Sequence, residues 1–192
     1  FNAANRFLGH LRGGLAVATI GACAGFSAIC GSTSATAATM AAVALPEMKK
    51  YNYDPALATG VVAAGGSLGI LIPPSTIFIV YGIMTEQSVG KLFLAGVLPG
   101  ILMALLFIAV IFVWTRFKPE LVTPAPKCTV RERLASLAGV VETFVLFAAV
   151  MGGLFMGVFT PTEAAAVGAC GTILIALAGR NLTWRGFVRA LG

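Results

Sequence analysis

The stretch Gly31-Ser32-Thr33-Ser34-Ala35-Thr36 places four hydroxyls behind a glycine, inside a run with no charge from Gly13 to Pro46. Neutral hydroxyl and carbonyl oxygens are ligands for a hard cation. Free N–H groups at a helix start suit an anion, because the N-terminus carries about half a positive charge. A second such place follows. Gly65-Gly66-Ser67-Leu68-Gly69-Ile70-Leu71-Ile72-Pro73-Pro74-Ser75 interrupts the next charge-free run, Pro55 to Thr85. Each proline there removes a helical hydrogen bond and clashes with the preceding turn, at a cost of about 3 kcal/mol. The Na⁺ candidates are Gly31, Ser32, Thr33, Ser34, Gly65, Gly66, Gly69 and Pro73, the glycines through their carbonyls. The substrate candidates are Ser34, Thr36, Pro74 and Ser75. No residue is assigned to catalysis or to holding a cofactor; Na⁺ enters as a coupling ion.

These segments need a setting that makes polar backbone valuable, and the composition supplies one. The chain is 58% hydrophobic and 10% charged, with a mean hydropathy of +0.95. Soluble domains carry about 25% charged residues. Long apolar runs without alternation exclude barrel strands. The expected class is therefore an all-α integral membrane protein. A membrane crossing takes about 20 residues, so the Gly13–Pro46 run is too long for one. A polar break at its centre predicts a re-entrant hairpin over about 13–46, with a first half-helix over roughly Gly14–Cys30, N-cap residue types at Ser32, Thr33 and Ser34, and a second half-helix running to about Leu45, the two meeting at mid-depth. Irregular backbone inside a bilayer is tolerated where it lines a cavity or lies buried in protein.

The remaining elements follow in order. Asp54-Pro55 is a helix start, with a capping side chain and proline at the first position. A broken helix is expected over about 55–85 and a crossing over about 92–115. Residues 118–138 form a basic loop. Crossings over Val140–Phe159 and Ala164–Ala178 and an amphipathic end complete residues 139–192. Arg116, Lys118, Lys127, Arg131, Arg133 and Arg180–Arg189 are the richest basic stretches, hence cytoplasmic. Counting back places Arg12 and Lys49 on that same side only if the first run re-enters.

Other chemistries are excluded or weaker. The net charge of +6 sits in connections, not in an aromatic-laced stripe, so no nucleic-acid partner is implied. Cys23, Cys30, Cys128 and Cys170 lack metal-site spacing. There is no phosphate-binding Walker loop. His10 lies outside the apolar run and cannot meet Ser32 or Ser34 as a hydrolytic pair. Thr160-Pro161-Thr162-Glu163 reads as a capping box rather than as a proton site, and Glu142 as a charge reaching to the boundary.

The ordered set Gly13-Gly14-Leu15, Gly31 through Thr39, Pro46-Glu47-Met48, Gly66 through Ser75, Ala95-Gly96 with Pro99-Gly100, and Phe159 through Ala165 resembles the large membrane subunit of tripartite ATP-independent periplasmic (TRAP) transporters, the DctM-like family. Thr33 stands where the family often has serine, and Phe147 where proline is frequent. The resemblance implies a Na⁺-driven importer of small organic acids, such as C4-dicarboxylates or sialic acid. It implies a small membrane subunit, a periplasmic substrate-binding protein and a bacterial or archaeal inner membrane. It also implies two inverted repeats moving as an elevator. This chain would then hold most of the first repeat (1–117) and the start of the second (139–192), as a fragment. A channel-like protein and a proton-coupled carrier are the alternatives.

Overall fold

The computed structural model describes residues 13–122 and 130–178. The elements are α1 Gly14–Cys30, α2 Thr33–Lys50, α3 Pro55–Gly66, α4 Leu68–Leu71, α5 Thr76–Thr85, α6 Val89–Phe117, a 3₁₀ turn Pro119–Leu121, α7 Val130–Phe155 and α8 Pro161–Ala178. Among the described residues all regular structure is helical. Pro55–Thr85 and Val89–Phe117 are long and apolar enough to cross a membrane. The chain divides into two compact units between Leu137 and Ala138.

In the first unit, α1 and α2 form an antiparallel hairpin. Gly31 ends α1 at φ 60°, the left-handed region. Ser32 then caps α2, its hydroxyl accepting from the Ala35 N–H at 3.4 Å. At the other end the Leu15 N–H donates to the Tyr53 hydroxyl oxygen at 3.3 Å, and the Tyr53 N–H donates to Met48 O. The start of α1 therefore lies beside the end of α2. Every fourth residue of α2 is buried, at Thr36, Met40, Ala44 and Met48, which is the spacing of one helix face. α2 runs through Pro46 to Lys50 rather than stopping near Leu45. Pro46 is exposed, and the helix continues through it although proline supplies no N–H to the carbonyl four residues earlier.

α3 begins as expected, with Asp54 Oδ1 accepting from the Ala56 and Leu57 N–H groups. The break falls later than the glycines suggest. The chain stays helical past Gly65-Gly66, with one irregular turn at Ser67, and opens only over Ile72–Ser75. The Pro73–Pro74 peptide bond is cis. Each glycine costs about 1 kcal/mol in a helix, but here the missing side chains let helices approach. A Cβ on Gly65 would stand 2.6 Å from Cys23 Sγ, and one on Gly66 would stand 2.8 Å from the Ala37 Cβ. Between lipid-embedded helices, where apolar burial gains little, close packing of small residues is the main attraction.

α6 returns alongside the break. A Cβ on Gly96 would stand 2.7 Å from Leu71 O, and one on Gly100 would stand 3.1 Å from Ile72 Cγ1. At about 1.5 Å per residue, this stretch lies roughly 10–17 Å from Val89 and 25–32 Å from Phe117. The far end of α6 meets the hairpin base: a Cβ on Gly13 would stand 3.0 Å from Thr115 Cγ2, and the Asp54 N–H donates to Leu121 O at 3.0 Å. Lys49, Lys50, Arg116 and Lys118 thus belong to one end of the unit.

In the second unit, α7 and α8 pack antiparallel. A Cβ on Gly168 would stand 3.8 Å from Val150 Cγ2, and Gly171 abuts Leu146. α7 starts at Val130, so Arg131 and Arg133 ride on a helix instead of the expected loop; no proline lies between Pro126 and Pro161 to prevent it. The capping box is present, with the Thr160 N–H donating to Glu163 Oε2 at 2.8 Å and the Glu163 N–H to Thr160 Oγ1 at 3.3 Å. Arg6, His10, Arg12, Lys127, Cys128 and the amphipathic end with Arg180, Arg185 and Arg189 lie outside the described residues.

Candidate functional site

α1 and α3 run side by side in the same direction, from the base of the hairpin towards its tip. Cys23 faces Gly65 low in the pair, and Gly31 faces the Pro74 carbonyl at the top. The hairpin tip therefore meets the Ile72–Ser75 break. Two contacts close the junction. The Gly31 carbonyl accepts from Thr76 Oγ1 at 3.2 Å and from the Thr76 N–H at 3.5 Å. On α4, a Cβ on Gly69 would stand 2.9 Å from both Ser32 C and Thr33 N.

The hydroxyls around this junction behave unlike the others. Thr19, Thr59, Thr85, Thr115 and Thr172 each donate to the carbonyl four residues earlier, at 2.7–2.8 Å. That is how a helix disposes of a hydroxyl that has nothing else to bond. Ser27 Oγ, Thr33 Oγ1, Thr36 Oγ1 and Ser75 Oγ are buried and have no hydrogen-bond partner. Ser27, Thr36 and Ser75 are each 0% exposed. A buried polar group without a partner costs about 1–3 kcal/mol, and all four of these belong to the tip, the break or the turn leading into the tip.

Backbone oxygens add to the set. Pro73 and Pro74 have no N–H, so the carbonyls of Gly69 and Ile70 lose the donors that a continuing helix would supply. Among the described residues no group of three or more His, Cys, Asp or Glu side chains is placed to hold a metal. The ligands on offer at the junction are therefore neutral oxygens.

Of the residues singled out from sequence, Gly31, Ser32, Thr33, Gly69, Pro74 and Ser75 come together at the junction, with buried Pro73 in the break and Thr36 one turn into α2. Ser32 Oγ is engaged as the cap of α2. Gly65 and Gly66 lie one turn below the junction as packing spacers, and Ser34 is exposed. Sequence reasoning missed Ser27 and Thr76. Ser27 lies one turn before Gly31, a spacing that could have drawn attention to it. Thr76 gave no comparable signal, since threonine at a helix start is ordinary.

A protein-family model described as "Tripartite ATP-independent periplasmic transporter, DctM component" matches residues 1–191. The chain belongs to this family. It is 45% identical over 175 residues to the C4-dicarboxylate TRAP transporter large permease protein DctM of Pseudomonas aeruginosa, covering 91% of this chain and 40% of that protein. It is 34% identical over 184 residues to the ectoine/5-hydroxyectoine TRAP transporter large permease protein UehC of Ruegeria pomeroyi, covering 96% and 42%. It is 33% identical over 192 residues to the sialic acid TRAP transporter large permease protein SiaM of Vibrio cholerae, covering 100% and 44%. The chain thus spans about two fifths of the length of these DctM-family relatives.

Proposed function

We propose that this chain supplies the first half of the transport machinery of a Na⁺-coupled TRAP permease that imports small organic acids of the C4-dicarboxylate or sialic acid type. A periplasmic binding protein delivers the solute, and a small membrane subunit completes the carrier in a bacterial or archaeal cytoplasmic membrane. The α1–α2 hairpin is re-entrant, and α3–α5 form the broken helix of one inverted repeat. The whole moves as an elevator. The substrates named for the relatives support the solute class, and the single basic end of the hairpin supports re-entry from the cytoplasm.

One observation carries the ion role: four buried hydroxyls without partners, gathered where two interrupted helices meet. A monovalent cation there would satisfy them together with the Gly69 and Ile70 carbonyls, and neutral ligands suit Na⁺ better than a proton. The candidates are Gly31, Ser32, Thr33, Gly69 and Pro73 around the ion. Thr36 and Ser75, read from the sequence as solute candidates, join the ion set through their orphaned hydroxyls; Pro74 and the outward-facing Ser34 are candidates for the solute, whose carboxylate would meet the N–H groups opening α2 and α5. Discontinuous helices serve anion and cation in this way in other transporter folds.

The test is uptake into proteoliposomes by a complete permease carrying this sequence, with its small subunit and binding protein. Solute accumulation that requires both the binding protein and an inward Na⁺ gradient is the expected result. With components shown to be active, uptake indifferent to Na⁺ would remove the ion from the scheme.

A further inference from the structure

We infer that Ser27 is a side-chain ligand of the cation held at the tip–break junction, an inference that rests on the Na⁺ reading above. Three observations carry it. First, Ser27 is 0% exposed and its hydroxyl has no partner. Second, that hydroxyl sits in the interior of α1, where the Cys23 carbonyl four residues earlier is the ordinary acceptor; the threonines at 19, 59, 85, 115 and 172 all make that bond. Ser27 leaves it unmade.

Third, the register of α1 against α3–α4 sets Ser27 at the right height. A Cβ on Gly65 would meet Cys23 at 2.6 Å. Both helices run towards the tip and rise equally per residue. Four residues on from this pair, Ser27 reaches the level of α4, whose Gly69 packs against Ser32 and Thr33 at the tip and whose carbonyl Pro73 deprives of its donor. Four residues further, Gly31 stands abreast of the prolines, where it abuts the Pro74 carbonyl. The two contacts bracket Ser27, Cys23 against Gly65 below it and Gly31 against the Pro74 carbonyl above it. Ser27 on α1 would offer the cation one hydroxyl, beside the Gly69 carbonyl of α4 and the α2 hydroxyls of Thr33 and Thr36.

The physics separates a ligand from a packing residue. An orphaned buried hydroxyl destabilises the protein, so a serine with no ligand role gains stability when replaced by alanine. A ligand serine shows the reverse once the ion is present. A ligand that binds only the folded state raises stability by RT ln(1 + [L]/Kd).

The experiment compares thermal unfolding of a complete permease carrying this sequence in NaCl and in choline chloride at equal ionic strength, for wild type, Ser27→Ala and Ser27→Thr. Wild type is expected to be stabilised by Na⁺. Ser27→Ala is expected to match or exceed wild type in choline, and to need about tenfold more Na⁺ for the same shift, the loss of one charge-assisted oxygen contact. Ser27→Thr, which keeps the oxygen, is expected to stay within about threefold of wild type. A Na⁺ response in Ser27→Ala equal to that of wild type overturns the role of Ser27 while leaving the ion site standing. A wild type that Na⁺ does not stabilise overturns both, and with them the cation reading of the junction.

Discussion

Thr76 donates its hydroxyl to the Gly31 carbonyl at 3.2 Å and its N–H to the same oxygen at 3.5 Å. One residue at the start of α5 thereby ties the last turn of α1 to the far side of the proline break. The two interrupted segments are separated by the whole of α2, α3 and α4, yet they share this carbonyl.

Replacing Thr76 by valine removes the shorter bond while preserving shape. The expected result is a severalfold rise in the Na⁺ concentration for half-maximal uptake, with uptake at saturating Na⁺ retained, since a net hydrogen bond contributes about 1 kcal/mol. Thr76→Ser is expected to restore the wild-type value. Equal Na⁺ dependence in the valine variant would show that the bond does not shape the site.

Gly31 and Gly25 form a matched pair on α1. Gly31 has φ 60° and faces the Pro74 carbonyl, whereas a Cβ on Gly25 meets nothing within 4 Å. Gly31→Ala is expected to lower stability by about 2–4 kcal/mol, combining left-handed strain with overpacking against backbone. Gly25→Ala is expected to be neutral or stabilising by up to about 1 kcal/mol. Thermal unfolding in one detergent checks both, and similar losses in the two variants would contradict the tip geometry.

The hairpin and the helix start at Asp54 were legible in the sequence because their signals are local. A left-handed glycine, a capping serine and an Asp-Pro pair decide the backbone within a few residues. The position of the break was less legible. Gly65-Gly66 and Pro73-Pro74 both read as interruptions, but only tertiary contact separates them. The glycines stay helical because Cys23 and Ala37 need the space, and the prolines open the chain because they lack donors. Ser27 was missed for the same reason. Its place in the turn leading into the buried junction depends on how α1 packs against α3 and α4, which no local pattern records. The extension of α2 through Pro46 was missed because proline ordinarily ends a helix, and nothing local marks this one as lying inside it.

Tyr53 closes the base of the hairpin. It is 4% exposed, and its oxygen accepts from the Leu15 N–H. Tyr53→Phe leaves that N–H without a partner, at an expected cost of about 1–3 kcal/mol. Hydrogen exchange at the first turn of α1 is expected to quicken in this variant while exchange at α8 is unchanged. Unaltered exchange at Leu15 would mean that the bond does not hold the base.

Glu163 is expected to act as a cap and not as a proton carrier, because its carboxylate is occupied by Thr160. Glu163→Gln retains an acceptor at the same reach. Its uptake rate and pH dependence are expected to match wild type, whereas Glu163→Ala is expected to speed amide exchange at the start of α8. A shifted pH profile in Glu163→Gln would assign it a role in proton movement.

The most direct test of the central claim is the Na⁺ dependence of uptake by a complete permease in which Thr36→Val and Ser75→Ala are combined. Both hydroxyls are buried at the junction and bond nothing there. Loss of two oxygen ligands is expected to raise the half-saturating Na⁺ concentration at least about tenfold, with the folded protein as heat-stable as wild type in choline. An unchanged Na⁺ requirement in a folded, active double variant would contradict the assignment of the junction as the ion site.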